Sequence, residues 1–157
     1  MKKINYEKLT VREKELLRAA TGALNEAYNP YSKFAVGAAL LSLTDEIITG
    51  ANFENAAYGP SICAERSALA RANAMGIRKF SKIAIIGRAH NSPTAEITAP
   101  CGTCRQMLYE AAQISGHDLE IIMANTRMTK IIKAKISELL PLAFGPKDLG
   151  LDISKFS

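Results

Sequence analysis

The sequence predicts a single layered α/β domain that spans residues 1–157. Three observations support this fold class. A helical pattern opens the chain, two short apolar runs then form a hairpin pattern, and strands alternate with helices after that. With 157 residues, the chain is long enough to bury a core without disulfide bonds. Its 48% hydrophobic and 22% charged residues are typical of a globular protein.

The first helix is marked at both ends. Thr10 and Glu13 match a capping box, in which the side chain of each residue accepts a hydrogen bond from the backbone N–H of the other. Apolar residues then recur on one helical face from Leu16 onward. The Asn-Pro pair that ends at Pro30 stops the pattern. We therefore expect a helix that runs to about Ala27.

Two short apolar runs, 34–41 and 47–53, flank a polar turn and predict a β-hairpin. An alanine-rich run from Cys63 to Met75 then predicts a second helix, which Gly76 ends. In the rest of the chain, a polar loop at 88–99 interrupts the alternation. The remaining predicted elements are strands at 82–87, 119–123 and 129–135 (the last an edge strand), a helix from Gly102 to about Ser115, and a helical turn at 137–140.

All three cysteines lie in two short motifs. Cys101 and Cys104 form a Cys-x-x-Cys pair, and Cys63 lies upstream of it. Three thiolate ligands leave one tetrahedral position of a zinc ion open for water, as in catalytic zinc sites. Zinc lowers the pKa of that water toward neutrality. Glu65, two residues from Cys63, is close enough to exchange protons with the water, so the motifs predict a hydrolytic zinc site with Glu65 as its catalytic residue.

Both cysteine motifs fall at the start of a predicted helix. The unpaired N–H groups and the positive end of the helix dipole stabilise thiolates there. Three thiolates leave a zinc site with excess negative charge, which the helix ends and Arg66 would offset. Alternatively, Arg66 would simply be an exposed residue of the helix. A structural zinc would need a fourth protein ligand, and neither His90 nor His117 has a ligand spacing.

The composition of the chain disfavours nucleic-acid and membrane partners. The net charge is +5 and the pI is about 9.2, but acidic residues interleave with the basic ones throughout the chain. A lysine cluster at 130–135 is typical of a solvated helix or strand face. We therefore expect no nucleic-acid partner. No apolar run is long enough for a membrane helix, and the first residues lack the apolar core of a signal peptide. Cysteines that serve as metal ligands indicate a reducing compartment, so we expect a cytoplasmic protein.

Five stretches of the chain resemble the small homotetrameric cytidine deaminases: 29–41, 52–58, 63–66, 100–106 and 138–144. The Cys-Ala-Glu-Arg and Pro-Cys-Gly-Thr-Cys-Arg-Gln segments are the specific ones, because zinc deaminases carry this ligand pattern. The resemblance implies a three-layer α/β/α fold with a five-stranded mixed sheet and one zinc per subunit. It also implies hydrolytic deamination of cytidine and 2′-deoxycytidine, as in pyrimidine salvage, by a homotetramer with shared active sites.

The resemblance assigns roles to residues outside the metal motifs. Glu65 would take a proton from water and deliver it to N3 of the base as hydroxide attacks C4. Phe34 would stack on the base, and the Ala64 amide would donate to the pyrimidine. Asn52 and Glu54 would bind the ribose hydroxyls. The other substrate-binding candidates are Ala56, Tyr58 and Phe144, of which Tyr58 and Phe144 would come from neighbouring subunits.

Without the resemblance, several of these residues have simpler interpretations. Asn52 and Glu54 would be turn residues, and Phe34 and Phe144 would be packing residues. The chain also departs from the family pattern. Ala35 replaces a proline found in many members, a polar insert lies around 90–96, and the segment after 144 has no assigned place.

Three other functions stay open. A deaminase of a modified cytosine nucleoside or a nucleoside antibiotic would keep every catalytic residue, although Glu54 would repel the phosphate of a nucleotide. A polynucleotide-editing deaminase would need a basic groove with aromatic residues for stacking, which the 6% aromatic content and the absence of tryptophan disfavour. A non-catalytic zinc-binding module is the third, and it would have no use for Glu65.

Overall fold

The computed structural model describes residues 1–90 and 92–156, except for the side chains of Ser154 and Lys155. Asn91, within the predicted insert, and Ser157 lie outside the described residues. The strands are β1 (Lys2–Lys3), β2 (Phe34–Ser42), β3 (Ile47–Ala51), β4 (Phe80–Ala89), β5 (Glu120–Ala124) and β6 (Ile131–Lys135). The helices are α1 (Val11–Ala23), α2 (Ala64–Ala74), α3 (Gly102–Ser115) and α4 (Ile136–Leu139), and short 3₁₀ turns lie at Tyr6–Lys8, Leu24–Glu26, Pro146–Leu149 and Ile153–Phe156.

The strands form one mixed sheet in the order β1-β6-β5-β4-β2-β3. Strands β4 and β5 are parallel, and every other pair of neighbours is antiparallel. Because β2 is antiparallel to both β3 and β4, these two strands also point the same way. The connections β3-α2-β4 and β4-α3-β5 both cross the sheet in one direction. Right-handed crossovers of this kind place α2 and α3 on the same face.

Alternation along the strands builds a core on each face of the sheet. Ile83 and Ile85 of β4 pack with residues of α2 and α3, whereas Ala84 and Ile86 pack with α1. Helix α1 contributes its apolar stripe to that second core, and Leu16 in this stripe is fully buried. The predicted layered α/β fold is therefore confirmed, with helices on both faces of the sheet.

The predicted number of strands is wrong. The sheet has six strands instead of five, because Lys2 and Lys3 form β1 and pair with Lys133 and Ile132 of β6. Two lysines carry no apolar alternation, so no pattern in the sequence indicates a strand here. Backbone hydrogen bonding to β6 forms it instead. As a consequence, β6 is an inner strand and the predicted edge position is also wrong.

Other boundaries differ by a few residues. The α-helical part of the first helix ends at Ala23, and a 3₁₀ turn continues to Glu26. Strand β3 ends at Ala51, two residues before the predicted end. Strand β4 extends through Ala89, into the predicted loop, because it pairs there with the start of β2. In the parts of the chain that the structure describes, no helix has the length and apolar character needed to span a membrane.

Candidate active site

Two helix N-termini bring the three cysteines together. Cys63 is the N-cap of α2, Cys101 is the N-cap of α3, and Cys104 lies in the first turn of α3. Because both crossovers lie on one face, these N-termini meet beyond the carboxyl ends of β3 and β4. The predicted grouping of the three cysteines is therefore present in the folded chain.

The spacing of the three sulfur atoms suits a zinc ion. All three Sγ atoms lie within 4.8 Å of one another, and the Sγ atoms of Cys63 and Cys101 are 3.9 Å apart. A tetrahedral zinc with Zn–S bonds of about 2.3 Å places its sulfur ligands about 3.8 Å apart. No fourth histidine, cysteine or carboxylate ligand joins the group within residues 1–90 and 92–156. The donor set therefore fits zinc with one open position.

The thiols of the group are electrostatically unequal. A hydrogen bond from the Cys104 thiol, together with a hydrogen bond from Cys101 and the charge of Arg66, outweighs burial and lowers the pKa of Cys63 to about 5. The same hydrogen bond to Cys63, together with burial, raises the pKa of Cys104. Cys63 thus loses its proton before Cys104 does, and metal binding must release the proton from Cys104.

Arg66 lies where it can share the negative charge of the ligands. Its Nη2 donates to the carbonyl of Ser61 at 2.9 Å. Its Nε is buried and has no hydrogen-bond partner among the atoms that the structure describes. Because its charge also lowers the pKa of Cys63, the unpartnered donor fits a site that accumulates thiolate charge.

Glu65 lies in the first turn of α2, and only 3% of its surface is exposed. Burial raises the pKa of Glu65, and the charge of Cys63 raises it further. A buried carboxyl group with a raised pKa, next to a metal-binding group, suits proton transfer near neutral pH. The Ala64 amide, predicted to donate to the pyrimidine, belongs to the first residue of the same helix, where N–H groups lack intrahelical partners.

Phe34, the predicted stacking residue, begins β2 and lies against β4. A Cβ atom on Gly87 would come within 2.7 Å of Cε1 of Phe34, so the ring occupies space that only a glycine leaves open. The side chain of Asn52 holds this part of β2. Its Oδ1 accepts from the backbone N–H of Val36 at 2.8 Å, and its Nδ2 donates to the carbonyl of Phe34 at 2.9 Å. Among the residues that the structure describes, one N–H of Asn52 has no acceptor and is left for a ligand.

Glu54 closes the loop that precedes Phe34. Its Oε2 accepts from the backbone N–H groups of Tyr31 at 3.1 Å and Ser32 at 3.2 Å. Burial acts in the opposite direction, but hydrogen bonds from Ser32 and Tyr31 lower the pKa of Glu54. The carboxylate is therefore ionised at neutral pH. Both backbone hydrogen bonds are to Oε2, so Oε1 keeps capacity to accept from a ligand.

The remaining predicted contacts are exposed. Ala56 lies in an exposed loop, and the exposed fractions of Tyr58 and Phe144 are 82% and 60%. Phe144 is held through its backbone, because its carbonyl accepts from Nε2 of Gln106 at 2.8 Å. The folded chain thus groups the metal residues, and it connects Phe34, Asn52 and Glu54, but it leaves these two aromatic side chains facing outward.

Two residues that position the site, Gly87 and Arg105, are not among those predicted from the sequence. Gly87 makes room for the Phe34 ring. Arg105, which follows Cys104, donates to the carbonyls of Pro100 at 2.9 Å and Leu139 at 3.0 Å, so it ties the Cys101 turn to α4. The Pro-Cys-Gly-Thr-Cys-Arg-Gln segment contains Arg105, and its place in that motif was the available signal. No sequence signal marked Gly87, because its close contacts are with segments that lie far from it along the chain.

The predicted polar insert lies next to the site. The backbone N–H of His90 donates to the carbonyl of Lys33 at 2.7 Å, directly before Phe34. Lys33 has a φ of 58°, which is unusual for a residue with a side chain. The hydroxyl of Thr94 donates to the carbonyl of Gly87 at 2.9 Å. The insert therefore supports the backbone that carries the stacking residue.

Comparisons with known proteins agree with this arrangement. Residues 10–116 match the family model described as the cytidine and deoxycytidylate deaminase zinc-binding region. A cytidine deaminase from Halalkalibacterium halodurans is 40% identical over 134 residues, which are 85% of this chain and 95% of that protein. One from Sporosarcina psychrophila is 36% identical over 135 residues, covering 86% and 93%.

Solved structures give the same result. The cytidine deaminase from Burkholderia pseudomallei superposes with a TM-score of 0.75 at 39% identity, over 87% of this chain and 100% of that one. The enzyme from Mycobacterium tuberculosis gives a TM-score of 0.70 at 34% identity, over 87% and 99%. With its three-cysteine site and these matches, the chain belongs to the cytidine and deoxycytidylate deaminase zinc-binding family.

Proposed function

We propose that this protein deaminates cytidine and 2′-deoxycytidine to uridine and 2′-deoxyuridine in a zinc-dependent hydrolysis that releases ammonia, as in pyrimidine salvage. The observation that carries the proposal is the position of Glu65. It is buried at the start of α2, two residues from Cys63, where three sulfur atoms lie within 4.8 Å of one another. Zinc-dependent hydrolysis of this kind needs a metal site with an open position and a carboxyl group next to it.

The reaction forms a C4–O bond and breaks the C4–N bond of the exocyclic amine. Cys63, Cys101 and Cys104 would hold one zinc per chain, which would lower the pKa of the attacking water and make it a nucleophile near neutral pH. Glu65 accepts a proton from this water and delivers it to N3 of the base. It then takes the proton of the new C4 hydroxyl group and passes it to the departing amine, which leaves as ammonia while C4 becomes a carbonyl. Burial of Glu65 keeps bulk water away from these proton transfers.

The other residues bind and orient the nucleoside. Phe34 offers its ring to one face of the base, and the Ala64 N–H donates to the pyrimidine. The free N–H of Asn52 and the Oε1 of Glu54 bind the sugar hydroxyls. An ionised Glu54 favours a free hydroxyl and repels a phosphate in this position, so nucleosides are preferred to nucleotides. Ala56 completes the wall beside them.

We further propose that the protein is a homotetramer with shared active sites. Support comes from Tyr58 and Phe144, whose side chains are 82% and 60% exposed in the single chain although the family pattern makes them pocket residues. Leu142, next to Phe144, is also fully exposed. Large apolar side chains in such a group favour burial against another chain. Free cysteines as metal ligands favour a reducing, cytoplasmic location.

A substrate panel tests the proposed reaction. The zinc-loaded protein is assayed for ammonia release from cytidine, 2′-deoxycytidine, cytosine, cytidine 5′-monophosphate and a cytosine-containing single-stranded DNA. We expect turnover of the two nucleosides and little or none of the other three substrates. No ammonia from either nucleoside, or release from the DNA alone, would contradict the proposal.

Complementation tests the shared sites. Glu65→Gln and Phe144→Ala should each be impaired alone, the first in proton transfer and the second in substrate binding. In mixed oligomers, some sites would combine an intact Glu65 with a Phe144 from the Glu65→Gln chain. Co-refolding should therefore restore activity above the sum of the two variants. If mass spectrometry shows mixed oligomers and no activity returns, Phe144 acts within its own chain.

A further inference from the structure

Thr98 lies between the proposed stacking residue and a metal-ligand helix. It precedes Cys101 by three residues. Its Oγ1 is 2.3 Å from the point where a Cβ atom on Gly87 would lie, and Cε1 of Phe34 is 2.7 Å from the same point. That point is on the face that carries α2 and α3, because Ile85 of the same strand packs there. The Thr98 hydroxyl and the edge of the Phe34 ring therefore share the space that Gly87 leaves open.

The hydroxyl of Thr98 is not used by the fold. Thr94, in the same loop, donates its hydroxyl hydrogen to the carbonyl of Gly87 at 2.9 Å. Within residues 1–90 and 92–156, by contrast, no hydrogen bond involves the hydroxyl of Thr98, which is half-buried. A threonine hydroxyl offers one donor and two acceptor sites. All of this capacity is available to a ligand beside the Phe34 ring.

The segment that carries Thr98 is fixed on both sides. The backbone N–H of Thr94 donates to Oγ1 of Thr126 at 3.0 Å, and Nδ2 of Asn125 donates to the carbonyl of Ala95 at 3.0 Å. Pro100 and Cys101 follow at the start of α3. A polar group held in this way loses little conformational entropy when it binds a ligand.

The proposed chemistry determines which edge of the base meets this segment. C4 must lie at the metal site, and it has N3 on one side and C5 on the other. N3 must face Glu65, which belongs to α2, in order to receive a proton. C5 therefore faces away from Glu65, toward the segment that leads into α3. Thr98 is the residue of that segment next to the stacking ring.

We propose that Thr98 is a specificity-determining residue whose hydroxyl contacts the C5 edge of the pyrimidine and favours a polar substituent there. The ligand class is a cytosine nucleoside with a hydroxyl-bearing group at C5, such as 5-hydroxymethylcytidine. The inference rests on the proposed function, since it takes the orientation of the base from that reaction.

The test compares three substrates in four proteins. Cytidine, 5-methylcytidine and 5-hydroxymethylcytidine are assayed with the zinc-loaded wild type, Thr98→Val, Thr98→Ala and Thr98→Ser. Valine keeps the shape of threonine and removes the hydroxyl, whereas serine keeps the hydroxyl and removes the methyl group. The readout is the ratio of kcat/KM for the hydroxymethyl substrate to that for the methyl substrate. We expect this ratio to fall about 2- to 10-fold in the valine and alanine variants, the effect of one hydrogen bond, and to be retained with serine.

The outcomes separate this inference from the proposed function. If the zinc-loaded wild type does not deaminate cytidine, the proposed function is wrong. If it deaminates cytidine but the ratio is the same in the wild type and in the folded hydroxyl-free variants, Thr98 does not determine specificity. Turnover of cytidine with no turnover of either C5-substituted substrate also overturns the inference. Zinc content and thermal unfolding identify which variants are folded. If valine disturbs the loop, Thr98→Ala takes the place of Thr98→Val as the hydroxyl-free variant.

Discussion

The two halves of the candidate site are built in different ways. The metal half, formed by Cys63, Glu65, Cys101 and Cys104, lies on the first turns of α2 and α3. Glu65 and Cys104 are buried there. The proposed substrate half lies around 28–34, 52–60 and 140–145, and two of its aromatic side chains, Tyr58 and Phe144, are largely exposed.

This difference assigns catalysis to the metal half of the site and substrate recognition to the substrate half. The metal half needs only one chain, because two right-handed crossovers determine where the helix N-termini meet. The proposed substrate half depends on Asn52, whose side chain holds the backbone of β2, and on Glu54, whose side chain holds the loop before β2. We propose that their other polar atoms bind the ligand. Substitutions in the metal half should therefore lower kcat, and those in the substrate half should chiefly raise KM.

The largest expected effect is the loss of a metal ligand. Cys104→Ala should remove zinc and reduce ammonia release to the background rate, because two remaining thiolates are too few for a stable catalytic site. Metal analysis and an ammonia assay with cytidine measure both quantities. Thr103→Ala is the matched control, since Thr103 is exposed on the same helical turn and is not a ligand. Normal activity in a zinc-free Cys104→Ala protein would show that the metal is not required.

The next largest effect is expected for the proton carrier. Glu65→Gln should keep the fold and one zinc per chain but lower kcat for cytidine by about 10²- to 10⁴-fold, the range typical of general acid–base catalysis. Steady-state kinetics with metal analysis of the same sample measure this. Near-normal turnover in the zinc-loaded variant would mean that another group transfers the protons.

The metal half was also the half that sequence predicted best. Cys63 and the Cys101/Cys104 pair lie in short motifs at predicted helix starts, so local signals were sufficient to group them. Strand β1 was missed because Lys2 and Lys3 have no apolar alternation. Its pairing with β6 depends on the rest of the fold.

The substrate half was predictable only through the family resemblance. Asn52 looked like a turn residue, and its two hydrogen bonds to the β2 backbone depend on the pairing of distant segments. Thr98 and Phe34 both lie against Gly87, so this arrangement joins three separate parts of the chain. No periodicity or spacing in the sequence reports a contact of this kind, because the residues come together only in the folded chain.

An intermediate effect is expected for Glu54. Glu54→Gln should lower kcat/KM for cytidine by about 10- to 100-fold, because a hydrogen bond to a charged group is replaced by a neutral one. Glutamine also weakens the contacts to the N–H groups of Tyr31 and Ser32. The same variant is therefore assayed with 2′,3′-dideoxycytidine, which lacks the 2′ and 3′ hydroxyl groups of the sugar. The penalty should shrink with this substrate, whereas an equal penalty would assign Glu54 to loop support alone.

The smallest effect on turnover is expected for a substitution of Glu13, which is in neither half of the site. Glu13 on α1 is only 2% exposed, and its Oε1 accepts from Nζ of Lys82 at 2.8 Å and of Lys133 at 2.6 Å. Although burial opposes the shift, hydrogen bonds from Lys133 and Lys82 lower the pKa of Glu13 from 4.5 to about 2. We expect Glu13→Gln to leave kcat for cytidine within about twofold and to lower the free energy of unfolding at pH 7 by about 3 kcal/mol.

The sign of the pH dependence makes this prediction specific. A carboxyl group whose pKa is lower in the folded protein stabilises it above the unfolded value, near pH 4.5, and loses that contribution as the pH falls toward 2. The difference in unfolding free energy between wild type and Glu13→Gln should therefore shrink across this range, and taking the difference cancels acid release of zinc. Glu15→Gln is the control, because Glu15 pairs with Arg12 on the exposed side of α1 and should cost at most about 1 kcal/mol. A difference that is the same at pH 7 and pH 2 would mean that Glu13 stabilises the fold by shape rather than by charge.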